Sequence, residues 1–283
     1  MTYVKITTQA EFKEALDNGY ALREFVDGKY PGLSQAWVDP NYQTPRNQPK
    51  PVSVPTPPPV AAGFTRSLDA TFATAGIDWS IFGNPAYQGA PGGTHAMDLS
   101  SHTTQPGDGL LHLKFYADAV GTDPSDNDNA GAGIQTTQAK LWPVGSTMYV
   151  GMRVVNPNPV VVPMGLLMGQ NWQEEIDFFE GGQAHVHWDG NQEGFNEPSN
   201  DPTIWHVWGI QWGKTEIEFT LDGKVWATTP NPSTNANDTA GDLSPMFLSV
   251  QIEDGDPSYT SAPIPASDAV DYQIAFIVVD VPA

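Results

Sequence analysis

From Gly63 onward the chain consists of short β-type runs separated by Pro, Gly and Asp turn signals, and no stretch after residue 60 has a helical pattern. Leu110–Tyr116 follows a Pro-Gly-Asp-Gly turn at 106–109. Gly145–Val155, Val160–Met168, Trp205–Trp212, Glu216–Leu221, Met246–Ile252 and Tyr272–Val281 are further runs rich in β-branched and aromatic residues. Between Glu216–Leu221 and Lys224-Val225-Trp226 lies Asp222-Gly223, a strong short-range hairpin signal. Runs of this length can bury their apolar faces only against one another. The expectation is therefore an all-β fold, an antiparallel β-sandwich of the jelly-roll type. The 27 Gly and 26 Pro suit many turns, and a hydrophobic content of 39% is enough for a sizeable core.

The first 62 residues read differently. Thr8-Gln9-Ala10-Glu11 fits a capping box; Phe12, Ala15 and Leu16 follow at helical spacing, and Asn18-Gly19 supplies a stop. One short amphipathic helix is expected over 8–18. Tyr20, Phe25, Tyr30, Trp37 and Tyr42 then appear without clear periodicity, either docking onto another body or packing back on the main domain. Residues 45–60 hold seven prolines, the composition of an extended polyproline II spacer. The expected organisation is a helical or irregular anchor over 1–44, a Pro-rich linker over 45–62 and a β domain over 63–283.

Charge excludes several partners. With 12 basic and 33 acidic residues the net charge is −21, a field that repels nucleic acid and anionic membranes and suits neutral ligands such as sugars. No run approaches the roughly 20 apolar residues of a membrane-spanning helix. The absence of Cys removes disulfides, thiolate metal sites and a Cys nucleophile. Nine Trp is a heavy load, divided between core filling and flat ligand surfaces.

Chemistry is concentrated in Gln173–Gly182, QEEIDFFEGG, where four carboxylates lie among strand-forming residues. Side chains alternate with period two, so Glu175 and Asp177 share a face and Glu180 points the other way in a regular strand. One extra residue at Phe178-Phe179, a β-bulge, turns Glu180 back onto the face of Glu175 and Asp177 and leaves Glu174 opposite. Clustered carboxylates raise at least one pKa, which yields one ionised nucleophile and one protonated acid, the pair that a retaining glycosidase holds about 5–5.5 Å apart. Spacing alone leaves the alternative of a solvated edge with unrelated acids.

Glu175-Ile176-Asp177-Phe178-Phe179-Glu180 resembles the Glu-x-Asp-x-x-Glu hallmark of the family 16 glycoside hydrolases (laminarinase- and lichenase-like). Gly131–Lys140, Tyr149–Arg153, His206–Trp212, Ile217–Gly223 and Val270–Val279 resemble other family segments in the same order, so the likeness spans roughly residues 64–281. The resemblance implies a concanavalin-like jelly roll, a glycan cleft and retaining hydrolysis of a β-linked polysaccharide. It implies Glu175 as nucleophile, Glu180 as general acid/base, and Asp177 between them holding their pKa values apart. Trp172, His187, Trp188 and His206 are the expected substrate-binding residues, with structural roles the alternative for both histidines. Two departures stand out. Val161–Leu167 occupies the place of an aromatic clamp, and Gly151 stands where a strand Glu is usual.

No cofactor and no metal site are assigned. Asp123, Asp126 and Asp128 could seat a structural calcium, but they lack a closing bidentate Glu and read as loop acids. The N-terminus lacks the pattern of a signal peptide. A glycan-active domain without one suggests a phage tail or other virion protein, with virion partners bound through 1–44 and the domain facing the host envelope. A secreted protein whose signal has been removed is the alternative. The corresponding functional alternative is a non-catalytic carbohydrate-binding or structural virion protein that uses the same cleft for adhesion.

Overall fold

The structure is a computed structural model that describes residues 4–5, 20–24, 36–43, 53–83, 102–117, 129–136, 140–158, 161–169, 174–188, 191–198, 200–232, 245–254 and 264–283. The chain divides into two compact units, Met1–Ser53 and Val54–Ala283. In the first, strands β1 (Val4–Lys5), β2 (Tyr20–Glu24) and β3 (Ala36–Gln43) form an antiparallel sheet ordered β1-β3-β2. The irregular stretch expected over 20–44 thus contains two paired strands. Its aromatics are too irregularly spaced to announce them. The helix expected over 8–18 lies outside the described residues.

The second unit is nearly all β, as expected. Its strands run β4 (Phe64–Ala70), β5 (Phe82–Gly83), β6 (Thr103–Thr104), β7 (Leu111–Ala117), β8 (Asn129–Ala130) and β9 (Ala132–Thr136). There follow β10 (Thr147–Val155), β11 (Val161–Gly169), β12 (Glu175–Glu180), β13 (Gln183–Trp188) and β14 (Asn191–Asn196). The last are β15 (His206–Trp212), β16 (Glu216–Leu221), β17 (Lys224–Pro230), β18 (Met246–Asp254) and β19 (Val270–Pro282). One sheet is ordered β17-β16-β15-β10-β19-β7-β6, with β4 also on β19 and β8 on β7; the other is ordered β14-β13-β12-β11-β18-β9-β5. Neighbours in sequence are joined by hairpins, as at Asp222-Gly223, while β18 and β19 reach back across each sheet to give the crossed order of a jelly roll.

Strict alternation builds the core. In β7 the pattern buries Leu111, Leu113 and Phe115 and leaves His112 and Lys114 half-exposed. The inward faces of both sheets merge into one cluster, in which Leu113, Val150, Ile274 and Val279 meet Ile134, Leu167, Ile176 and Val250. Each such side chain contributes about 1.5–3 kcal/mol by leaving water. Where the Pro-rich segment enters this unit it is tied down: Arg66 Nη2 donates to Pro58 O at 2.7 Å, and the same guanidinium holds Asp280 at 2.6 and 3.2 Å.

One carboxyl sits poorly in this frame. Glu197 follows β14, and its backbone N–H donates to Gly182 O at 3.0 Å. Its Oε1 has no partner among the described residues. Burial pushes its pKa up to about 8; the charge of Glu180 adds to this, and a backbone hydrogen bond at Glu180 opposes it. Unfolded, the group ionises near 4.5, so folding holds a proton that the unfolded chain releases. Its contribution to stability is therefore greatest below pH 4.5, falls as pH rises through that value toward 8, and stays level above. Glu197→Gln should remove this slope and leave the variant on the order of 2–3 kcal/mol more stable relative to the native chain at pH 8 than at pH 4. Urea unfolding at the two pH values measures the difference.

Candidate active site

The acids of the Glu175–Glu180 stretch occupy β12, which lies between β11 and β13. Glu175 faces His187 and Asp177 faces His185, but the next pair on β13 is Glu180 with Gln183, and the register shifts between Asp177 and Glu180. On the β11 side, Asp177 opposes Leu166 and Phe179 opposes Gly165, with the same break between them. Phe178 is the residue added, and this is the bulge that the parity of the acids demanded. Phe178 and Phe179 both point into the core, their ring centroids 5.1 Å apart, and Phe179 lies 5.9 Å from Trp208 and 6.0 Å from Tyr272 of the opposite sheet. Two consecutive aromatics directed inward need room. Gly165 provides it: a Cβ there would lie 2.6 Å from Phe179 Cζ and 2.8 Å from Phe178 Cζ.

The bulge leaves Glu175, Asp177 and Glu180 together, lining a cleft of about 620 Å³ on the outer face of the seven-stranded sheet. Its apolar floor is Met164, Leu166, Met168 and Phe247. Met164 and Leu166 belong to the stretch that replaces the aromatic clamp, and no tryptophan among the described residues lines the cleft. Gln135, Ser249, Gln251 and Glu253 add polar edges from β9 and β18.

Two of the three acids, Glu175 and Asp177, are heavily desolvated. Asp177 is nearly inaccessible, and burial together with the charge of Glu180 holds it well above the usual carboxylate range. Burial and the adjacent Asp177, to which it is hydrogen-bonded, push Glu175 up to about 8. The Glu175–Asp177 pair therefore keeps a shared proton at neutral pH. Two imidazoles flank the acids. His187 Nε2 lies 3.2 Å from Asp177 Oδ2, and His185 Nδ1 lies 2.5 Å from Glu180 Oε2. Gln183 Nε2 donates to Asn196 Oδ1 at 3.1 Å, which turns Gln183 Oε1 toward His185 Nε2 at 3.0 Å. His185 Nε2 is thereby turned to donate to Gln183 Oε1, and Nδ1 is the ring nitrogen that faces Glu180.

Comparison with known proteins identifies the family. The sequence model described as Glycosyl hydrolases family 16 matches residues 99–273, more than half of the chain. The chain belongs to glycosyl hydrolase family 16. It is a glycoside hydrolase. Its fold is similar to that of SCLam, a non-specific endo-β-1,3(4)-glucanase, at 16% identity and TM-score 0.67, covering 83% of this chain and 98% of that one. The catalytic domain of an endo-1,3-β-glucanase (laminarinase) from Thermotoga petrophila RKU-1 matches at 17% identity and TM-score 0.61, over 77% and 98% of the two chains. An endo-1,3-β-glucanase from Streptomyces sioyaensis matches at 18% identity and TM-score 0.60, over 82% and 100%. No curated protein matches the chain.

In this family 16 hydrolase the expected supporting residues divide sharply. His187 lines the cleft beside the carboxylates. Trp188, expected there too, packs against the core, because adjacent residues of a strand face opposite ways. His206 lies on β15 in the other sheet, outside the cleft, where Nδ1 meets Asp222 Oδ2 at 2.8 Å and Nε2 meets Asp201 O at 3.2 Å. Trp172, Asp123, Asp126 and Asp128 lie outside the described residues. Gly151 is also remote from the cleft, on β10, with the Phe276 ring over its Cα. His185 and Gln183 are among the cleft residues that sequence reasoning missed. The period-two step from His187 to His185 was the available signal. Gly165→Ala should drive a methyl into the Phe178–Phe179 pair and lower stability by about 1–3 kcal/mol, with a fall in activity as the bulge shifts; denaturant unfolding and rate measurements on the same preparation test this.

Proposed function

We propose that this chain is a retaining, endo-acting β-glycan hydrolase, with β-1,3- and mixed β-1,3(1,4)-glucans the first candidate substrates. The observation that carries the reading is the bulge, which puts Glu180 in the cleft with Glu175 and Asp177. Three features support the reaction. The Glu175–Asp177 pair holds one proton, so with that proton on Asp177 the Glu175 carboxylate is free to attack the anomeric carbon while Asp177 donates a hydrogen bond to it. Glu180 protonates the departing glycosidic oxygen, and His185 steadies its carboxyl through the 2.5 Å contact. Glu180, now ionised, takes a proton from water, which attacks the glycosyl-enzyme, restores Glu175 and retains the anomeric configuration. The apolar floor suits the faces of sugar rings and the polar rim their hydroxyls. The endo-glucanases among the structural neighbours favour a glucan.

Glu175→Gln and Glu180→Gln should each lower hydrolysis of laminarin and mixed-linkage glucan by about 10³-fold or more with binding retained. Azide should restore turnover to Glu180→Ala and release a β-glycosyl azide, detected by NMR. Undiminished cleavage by Glu175→Gln overturns the assignment. Glycan binding without cleavage by the native chain favours the adhesin reading instead.

The separate N-terminal unit and the Pro-rich stretch behind it support a further element, display on a virion through residues 1–44. Deleting 1–44 should abolish particle association and leave hydrolysis intact. Particles that keep the truncated protein would exclude that role.

A further inference from the structure

The cleft carries a donor set with a second use. His185 and His187 stand two residues apart on one face of β13, their ring centroids 5.7 Å apart and their planes inclined by 51°. Asp177 is the cross-strand partner of His185 and is hydrogen-bonded to His187 at 3.2 Å. One ligand atom from each of the three residues lies within 4.8 Å of the other two. We propose that Asp177, His185 and His187 form a binding site for a divalent first-row transition ion of the Zn²⁺ class, placed between the carboxylates of the cleft.

The geometry is close to what such an ion needs. A tetrahedral Zn²⁺ with bonds of about 2.0–2.1 Å brings two donors to roughly 3.4 Å. Asp177 is immobile in the sheet, with its side chain only 2% exposed, whereas that of His187 is 32% exposed and has room to turn. Rotation of the His187 imidazole would bring its nitrogen toward Asp177 and His185. The neighbouring acids supply the field. Glu175 and Glu180 line the same cleft as Asp177, so the negative charge concentrated there favours a cation. Gln183, already bonded to His185, orients that ring as an outer partner would. Two imidazoles in a set of three select a borderline ion over Ca²⁺ or Mg²⁺, which prefer all-oxygen sites. No metal site was assigned from the sequence, because Asp177 and the His185/His187 pair meet only through the β12–β13 register.

The direct test needs no glycan. Zn²⁺ is titrated calorimetrically into the full chain, and Co²⁺ is followed by its visible absorption. One ion per chain should bind at micromolar concentration, and millimolar Ca²⁺ or Mg²⁺ should not displace it. His187→Gln and His185→Gln should each weaken binding by at least about tenfold, with native melting curves confirming the fold. In the native chain, Zn²⁺ should also perturb the ring nitrogens of His185 and His187 in long-range ¹H–¹⁵N spectra, a readout that needs no variant. Unperturbed rings, or undiminished Zn²⁺ affinity in a folded double variant, overturns the site. The proposal carries one consequence that rests on the hydrolase reading: Zn²⁺ should inhibit glycan cleavage and chelation should restore it. If the chain cleaves no glycan, the binding titration still decides the site. If Zn²⁺ binds without inhibiting a chain that does cleave, the ion lies elsewhere and the proposal fails.

Discussion

The cleft depends on one backbone irregularity, the extra residue at Phe178–Phe179. A regular β12 would turn Glu180 into the sandwich, where an unpaired carboxylate costs several kcal/mol or shifts to its neutral form. With the bulge, both phenylalanines enter the core, and Glu180 emerges beside Glu175 and Asp177. Core and cleft therefore select the same register. Gly165 on β11 makes the arrangement sterically feasible, and Trp208 and Tyr272 reach across from the other sheet to hold the Phe179 ring. A displacement anywhere in this cluster reaches Glu180 through the chain itself.

Around that irregularity the protein concentrates charge that its sandwich would otherwise exclude. The acids on this sheet face repel one another, and the desolvated Glu175–Asp177 pair responds by holding a proton. Histidines on the neighbouring strand complete the network, with Asn196 and Gln183 setting the orientation of His185 behind Glu180. A buried polar network of this kind is stable only when its members satisfy one another. The same economy makes it responsive to cations. An ion and a proton compete for the same lone pairs, so chemistry that depends on holding protons is exposed to metals with an affinity for imidazole.

Much of the fold was legible because strands and turns leave local marks. The alternation of Leu111, Leu113 and Phe115 and the turn at Asp222-Gly223 reappear as β7 and the β16–β17 hairpin. Parity alone points to the bulge, since Glu180 could join the other acids in no other way. The same rule, applied consistently, would have placed Trp188 in the core once His187 was put in the cleft. His206 was harder. Its strand was legible, but membership of the far sheet was not. The paired strands within 20–44 carried no usable periodicity at all.

The chain by itself determined where strands and turns fall, which residues of each strand share a face, and that an odd spacing separates Glu180 from its fellow acids. Those properties follow from alternation and turn chemistry, which act over a few residues. Only the tertiary structure decided which sheet each strand joins, that His185 and His187 rather than Trp188 or His206 face the acids, and that Gly165 lies under the bulge. Strand pairing joins residues far apart in sequence, and it is chosen by how both sheets bury their apolar faces together, a quantity that no single stretch of the chain contains.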